Sequence, residues 1–96
     1  MKAEFLAEFT LAGASLSGEE IPKEKRLAFT ENDDIKNSLA VRDNDTIYGY
    51  VTGSEAALLK TFINRKMNLF CLYAGKVEEE DADRHVIKVY YIPEKI

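Results

Sequence analysis

The chain has 96 residues, of which 46% are hydrophobic and 31% charged, and its net charge at pH 7 is −4. This length predicts a single domain, residues 1–96, with a modest core, and this composition excludes an intrinsically disordered chain. The acidic balance argues against unaided, nonspecific binding of nucleic acid and restricts RNA binding to a local basic stripe or to an assembly.

The cellular setting follows from the same features. The chain has one cysteine, Cys71, which cannot form an internal disulfide, so a reducing, cytoplasmic setting is expected. No apolar run approaches the roughly 18 residues of a membrane span, and the first residues lack a signal-peptide pattern. We therefore expect no contact with a membrane.

The first third of the chain predicts strands separated by irregular segments. Residues 3–11 alternate between an apolar face (Ala3, Phe5, Ala7, Phe9, Leu11) and a polar face (Glu4, Glu8, Thr10), with Leu6 as the exception. Small residues over 13–18 and the charged segment 19–25, which contains Pro22, indicate a loop or an edge segment. Residues 26–30 predict a short strand, and the polar turn over 31–34 lacks the spacing of a calcium loop.

The middle of the chain, residues 37–66, predicts a hairpin that leads into a helix. Strands over 38–41 and 47–51 flank the polar turn 43–45, and the helix begins at Ser54 and ends near Lys66. An amphipathic pattern predicts that one helix face packs on a sheet through four residues: Leu58, Leu59, Phe62 and Ile63.

Gly53 and Ser54, where this helix begins, allow two interpretations. Gly53 permits a sharp turn or the close approach of a ligand, and Ser54 is able to cap the first free N–H groups. The same N–H groups, together with the helix dipole, favour an anion. Ordinary helix capping and a phosphate-contacting loop are both consistent with these residues.

The last third of the chain predicts two strands around an acidic turn. The continuous apolar run 69–74 (LFCLYA) indicates a central strand buried on both faces, and residues 85–92 indicate a second strand that ends before Pro93. We therefore expect an α+β fold with one principal helix on a mainly antiparallel sheet. That sheet is expected to contain the strands 3–11, 69–74 and 85–92.

Residue types that support catalysis are not arranged for it in this sequence. His85 lies on a predicted strand, where a packing role is the more common one, and Cys71 lies in an apolar run without a nearby histidine. The carboxylates over 78–83 indicate a solvated loop. Nucleotide-binding loops and zinc spacings are absent as well. We expect no enzymatic activity, no cofactor and no metal site.

Three segments resemble a known family: LAGASLSGEE (11–20), NSLAVRD (37–43) and YGYVTGSEAALLKTFINR (48–65). They are similar to the N-terminal part of the backbone subunits of type III CRISPR effector complexes, the RAMP superfamily with an RNA-recognition-motif fold. Residues 41–43 match the end of an apolar segment of that family, and residues 53–54 match the loop that opens its first helix. The segment 72–75, the acidic loop and the strand 84–92 resemble the next part of those subunits.

The resemblance implies a partial RNA-recognition-motif-like, or ferredoxin-like, fold in which Arg42, Gly53 and Ser54 contact the RNA backbone. It also implies effector subunits or guide RNA as partners. Asn37 occupies the position of an aspartate that supports RNA cleavage in the family, and an amide cannot act as a carboxylate base, so we expect no cleavage.

Other departures from the family concern the loop and the length. Thr52 replaces a proline, and residues 55–58 replace the small, basic and glycine positions of the family loop. The closing helix and strand of the full fold are missing, which would expose a sheet edge to a partner or to a second copy in a homo-oligomer.

These observations support two hypotheses of function. In the first, the protein is a non-catalytic binding module of a CRISPR-type RNA-guided effector complex, or a structural mimic directed at one, as an anti-CRISPR would be. In the second, it is a small acidic viral or mobile-element protein that inhibits a host protein by direct binding. Its partner-binding rim would then be formed by Glu78, Glu79, Glu80 and Asp81.

Overall fold

The computed structural model describes residues 3–13, 20–31, 37–44, 46–79 and 83–93. Their elements, in chain order, are β1 (Glu4–Leu11), β2 (Ala28–Glu31), β3 (Ser38–Arg42), β4 (Ile47–Thr52), α1 (Gly53–Asn64), β5 (Asn68–Val77) and β6 (Arg84–Ile92). The strands form two antiparallel sheets with the orders β1-β6-β5, here called sheet 1, and β2-β3-β4, called sheet 2. An α+β fold with antiparallel pairing is therefore confirmed.

Strand β1 contains an irregularity that changes which residues face the core. Phe5 lies opposite Tyr90 and Ala7 lies opposite Val89, so Leu6 is the extra residue of a β-bulge. Because the alternation of side chains is interrupted there, Phe5 is 54% exposed whereas Phe9 is buried. The expectation that Phe5 and Phe9 share a buried face was wrong for this reason.

The central strand of sheet 1 is β6, and β5 is an edge strand, contrary to the expectation for residues 69–74. The run is nevertheless apolar for a physical reason. Cys71 faces the core, while Phe70 is buried on the opposite face against Tyr90 and Arg26. Within sheet 1, β5 therefore has a neighbouring strand on one side only, yet residues of both of its faces are buried.

Two pairs of residues join the edges of the sheets. Ala12 and Tyr50 exchange backbone hydrogen bonds of 2.7 and 2.8 Å, and Leu27 and Cys71 exchange two of 2.9 Å. These pairs connect β1 to β4 and connect the residue before β2 to β5, so the strands follow one another in a closed ring. The chain itself therefore covers part of the sheet edges that the sequence predicted to be free.

The pairing of Ala12 with Tyr50 explains Gly49. A Cβ atom at Gly49 would lie 2.7 Å from the carbonyl oxygen of Ala12 and 2.8 Å from Cγ of Leu11. Real Cβ atoms do not approach other atoms this closely, so only glycine permits the end of β1 to lie on β4.

The helix α1 lies closest to β3 and β4 of sheet 2, and its buried side chains share one core cluster with residues of sheet 1. Ala56 and Leu59 are fully buried, and Phe62 and Ile63 pack against the core while partly buried. Leu58 is 45% exposed, so its predicted place in the core was wrong. Leu58 and Leu59 differ because consecutive helix residues point about 100° apart and only one can face the sheet.

The helix has no side-chain cap at its N-terminus and a backbone capping motif at its C-terminus. The N-cap is Thr52, which makes no side-chain capping bond, so the interpretation of Ser54 as the cap was wrong. At the C-terminus Lys66 has a φ of +62°, its N–H donates to Ile63 O (2.9 Å), and Met67 N–H donates to Phe62 O (3.1 Å). This is a Schellman motif, which satisfies carbonyls that the helix leaves open.

One core unites the two sheets and the helix. Its fully buried members include Leu39 and Val51 of sheet 2 and Ile87 and Val89 of sheet 1. The hydroxyl of Ser38 is also buried and has no hydrogen-bond partner among the described residues. A buried hydroxyl without a partner is destabilising, so a residue without a hydroxyl at position 38 is expected to stabilise the protein.

Candidate functional site

The structure does not bring together the three residues predicted to contact RNA. Thr52, which precedes Gly53 and Ser54, pairs with Ser38 at the first residue of β3, whereas Arg42 is the last residue of that strand. Four steps along a strand span roughly 13 Å. Gly53 and Ser54 therefore lie at one end of the β3–β4 hairpin and Arg42 at the other.

The Arg42 side chain forms hydrogen bonds with the backbone of the hairpin turn. Its guanidinium donates to the backbone carbonyl oxygens of Asp43 (3.2 Å) and Asn44 (3.0 Å). The carboxylate of Asp43 in turn accepts hydrogen bonds from the Tyr48 hydroxyl (2.7 Å) and from Lys25 Nζ (3.2 Å). An aspartate at the start of a turn is typical of such local bonding, so these contacts fix the turn.

Gly53 is explained by its backbone conformation. Its φ is +65°, and its N–H donates to the carbonyl oxygen of Asn37 (3.2 Å), which itself has a φ of +57°. Glycine and asparagine are the residues that adopt this left-handed region most readily. A Cβ at Gly53 would meet no atom within 4 Å, so close approach of other protein atoms does not require the glycine. Ser54 is exposed.

The acidic loop is partly paired with cations of its own hairpin. Glu78 and Glu79 are exposed, and Glu79 accepts an ion pair from Arg84 (3.0 Å). Lys76 and Asp83 form a second pair at 3.2 Å. The two remaining predicted rim residues, Glu80 and Asp81, lie outside the described residues. Within the described part, Glu79 is therefore less available to a basic partner than the sequence indicates.

Cys71 packs in the core, and His85 contacts a neighbouring tyrosine. Burial removes Cys71 from solvent completely and raises the pKa of its thiol to about 12, so the thiolate needed for a nucleophile does not form near neutral pH. His85 Nδ1 lies 2.8 Å from the hydroxyl of Tyr73, and the two rings are stacked. Burial raises the pKa of Tyr73, and the charge of Lys76 opposes this in part.

A surface feature that sequence reasoning missed crosses the outer face of sheet 1. Tyr90 contacts Phe70 with ring centroids 5.5 Å apart and nearly parallel, and it contacts Phe5 at 5.6 Å edge-to-face. The guanidinium carbon of Arg26 lies 4.3 Å from the centre of the Phe70 ring. We call these four residues the aromatic row. They face away from the core because their strand neighbours, such as Cys71 and Val89, face into it.

The aromatic row combines apolar surface with positive charge. Phe5 is more than half exposed, and Arg26 is exposed at the other end of the row. Lys88, two residues before Tyr90 on the same face of β6, is also exposed and lies opposite Glu8. Aromatic rings beside cations are the surface chemistry of single-stranded nucleic-acid binding.

Comparisons with known proteins identify neither a family nor a ligand for this chain. No family model matches the sequence, and neither a curated protein nor a solved structure is significantly similar to it. Within the described residues, no group of His, Cys, Asp and Glu side chains is arranged to hold a metal ion. In the same part of the chain, no helix is long and apolar enough to cross a membrane.

Proposed function

We propose that the protein is a non-catalytic module that contacts RNA in a CRISPR-type RNA-guided effector complex, or that imitates a subunit of one. The aromatic row is the observation that carries the RNA contact. The resemblance of residues 11–20, 37–43 and 48–65 to RAMP backbone subunits names the complex to test first. As part of the same proposal, we infer that the fold is a partial RNA-recognition-motif-like or ferredoxin-like fold.

Within the aromatic row, the stacking surface is concentrated at Phe5. The Tyr90 ring stacks with Phe70, and the guanidinium of Arg26 lies over the Phe70 ring. The Phe5 ring is supported by Tyr90 and remains 54% exposed. A base stacked on an aromatic ring contributes about 1–3 kcal/mol to binding, and Arg26 and Lys88 supply charge for phosphates.

We assign the RNA contact to this row rather than to Arg42, Gly53 and Ser54. Those three residues are separated by the length of β3, and the Arg42 guanidinium already donates to two turn carbonyls. Because the whole chain is acidic, we expect modest affinity. That affinity should fall as the salt concentration rises, because Arg26 and Lys88 contact phosphates.

The test is fluorescence anisotropy with a labelled, unstructured single-stranded RNA at two salt concentrations. Phe5→Ala is expected to weaken binding about fivefold to 150-fold, the equivalent of one stacked base. Leu58→Ala is the matched control, because it removes a similarly exposed apolar side chain from a different surface. Equal affinities for the Phe5→Ala variant and the parent protein would contradict the proposal, as would the absence of RNA binding at low salt.

A second candidate is a protein-directed inhibitor, favoured by the exposure of Glu78 and Glu79 on the β5–β6 hairpin. Neutralising both residues with glutamine would slow association with a basic protein surface and leave RNA binding unchanged. Association rates of this variant and of Phe5→Ala with one type III effector complex separate the two functions. A loss confined to the acidic variant supports the inhibitor, and a loss confined to Phe5→Ala supports the RNA module.

A further inference from the structure

We propose that the cavity at the C-terminal end of α1 binds a terminal phosphate monoester, either of a free nucleotide or of a nucleic-acid strand. The cavity has a volume of about 180 Å³ and lies where β5 begins and β6 ends, lined chiefly by Arg65, Lys66, Asn68, Tyr91 and Pro93. The proposal goes beyond the RNA contact of the aromatic row, because a nucleotide can occupy the cavity whether or not a strand crosses that row.

The two cations of the cavity are uncommitted, unlike several others in the protein. Lys25, Lys76 and Arg84 each form an ion pair with a carboxylate. In the described part of the chain neither Arg65 nor Lys66 has an ion pair or a side-chain hydrogen bond. Two unpaired cations that line one concave surface favour a ligand with two negative charges.

The backbone around the cations is fixed without using their side chains. The last carbonyls of α1 accept hydrogen bonds from the N–H groups of residues 65–67 in the Schellman motif. Because these carbonyls already accept hydrogen bonds from backbone N–H groups, the side chains of Arg65 and Lys66 are not needed as capping donors. The planar guanidinium of Arg65 matches the oxygens of a phosphate in a bidentate arrangement, and Lys66 adds a point charge.

The opposite wall suits the remainder of a nucleotide. Tyr91, Ile92 and Pro93 are half-buried and have mainly apolar side chains, and the exposed Asn68 amide supplies both donors and an acceptor. The Tyr91 hydroxyl donates to Glu4 Oε2 at 2.6 Å, a bond that raises the pKa of Tyr91 and holds its ring in place. Glu4 brings one negative charge close to the cavity, so among the described residues the two cations leave an excess of one positive charge.

The experiment is an NMR titration of the ¹⁵N-labelled full chain with uridine 5′-monophosphate, uridine and inorganic phosphate. We expect the monophosphate to shift amides of residues 65–68 and 91–92, and uridine to bind at least tenfold more weakly. Arg65→Gln and Lys66→Gln should each weaken monophosphate binding at least fivefold. Lys60→Gln, which removes the same charge from within α1, should not. Equal binding of uridine and its monophosphate, or an equal loss in Lys60→Gln, would overturn the proposal.

A second arm identifies the source of the phosphate and separates this site from the aromatic row. If single-stranded RNA with a 5′-phosphate binds more tightly than the 5′-hydroxyl strand, and Arg65→Gln abolishes the difference, the ligand is a strand end. If only the monophosphate depends on Arg65, the ligand is a free nucleotide. Phe5→Ala should leave the monophosphate affinity unchanged, so failure of RNA binding and failure of the cavity are distinguishable. If the Phe5→Ala variant binds the monophosphate more weakly than the parent protein, the cavity is not a separate site.

Discussion

Replacing Gly49 with alanine tests the contact between the end of β1 and β4. In an ordinary strand this change is favourable, because glycine costs about 0.5–1 kcal/mol relative to alanine. At Gly49 we expect the opposite sign. The new Cβ would lie 2.7 Å from the backbone oxygen of Ala12 and 2.8 Å from Cγ of Leu11, a side chain that is only 2% exposed.

The magnitude follows from two contributions. Forcing an additional carbon into a well-packed site costs about 1–3 kcal/mol. Relief of the clash requires Ala12 to move away from Tyr50, which weakens two reciprocal hydrogen bonds, each worth about 0.5–1.5 kcal/mol net. We therefore expect Gly49→Ala to lower the free energy of unfolding by about 2–6 kcal/mol, a large part of the roughly 5–15 kcal/mol typical of a domain.

The assay is urea denaturation followed by circular dichroism, with Gly53→Ala as the control. Gly53 has a φ of +65°, but a Cβ there would have no atom within 4 Å, so alanine costs only the left-handed strain of about 1–2 kcal/mol. A Gly49→Ala variant that is as stable as the parent, or more stable than Gly53→Ala, would refute the closed arrangement of strands.

Four further predictions concern single side chains. Leu59→Ala should cost about 2–5 kcal/mol of stability in urea denaturation, whereas the exposed Leu58→Ala should stay within about 0.5 kcal/mol, and equal losses would contradict the helix packing. Ser38→Ala should raise stability by about 1 kcal/mol in the same assay, because it removes a buried hydroxyl without a partner; a loss would indicate a partner that the structure does not show. The pKa of the Cys71 thiol is raised from 9.0 to about 12, so its contribution to stability is complete below pH 9 and is lost as the pH rises towards 12. Between pH 8 and 10 the slope should be smaller in Cys71→Ala, by up to about 1.4 kcal/mol per pH unit, whereas Tyr73 and Tyr91, whose pKa values are also raised, contribute equally to both proteins. Equal slopes in the two proteins would contradict a raised pKa of Cys71. Arg42→Ala should lower stability by about 1 kcal/mol and leave RNA affinity unchanged in anisotropy, and weakened RNA binding would restore Arg42 to the RNA site.

Local patterns in the sequence predicted the elements well. The strand over residues 3–11, the hairpin around 43–45 and the helix near 54–66 all reflect interactions between residues close in sequence, and the structure confirms these elements within a few residues. The bulge at Leu6 escaped this reasoning, because one extra residue in β1 is visible only when the register with β6 is known. That single residue turns Phe5 outward.

The candidate sites depend on pairing between distant segments, which a local pattern does not contain. Tyr90 meets Phe5 and Phe70 only because β6 lies between β1 and β5. The cavity likewise joins the end of α1 to the end of β6. In contrast, the Arg42 and Gly53 hypothesis combined residues that are close in sequence yet lie at opposite ends of one hairpin.

The pairing of β1 with β6 has a consequence for the order of folding. Glu4 lies opposite Tyr91, so the first strand finds its only neighbour within sheet 1 at the far end of the chain. During translation, β1 therefore leaves the ribosome long before β6 exists. The β5–β6 hairpin closes over a short loop, whereas docking of β1 on β6 closes a loop that contains most of the chain and therefore costs more loop-closure entropy. Topologies with such non-local pairing fold in milliseconds to seconds. We expect pulse-labelled hydrogen exchange to show protection of β5 amides before those of β1, and the reverse order would exclude the hairpin as the template on which β1 is added.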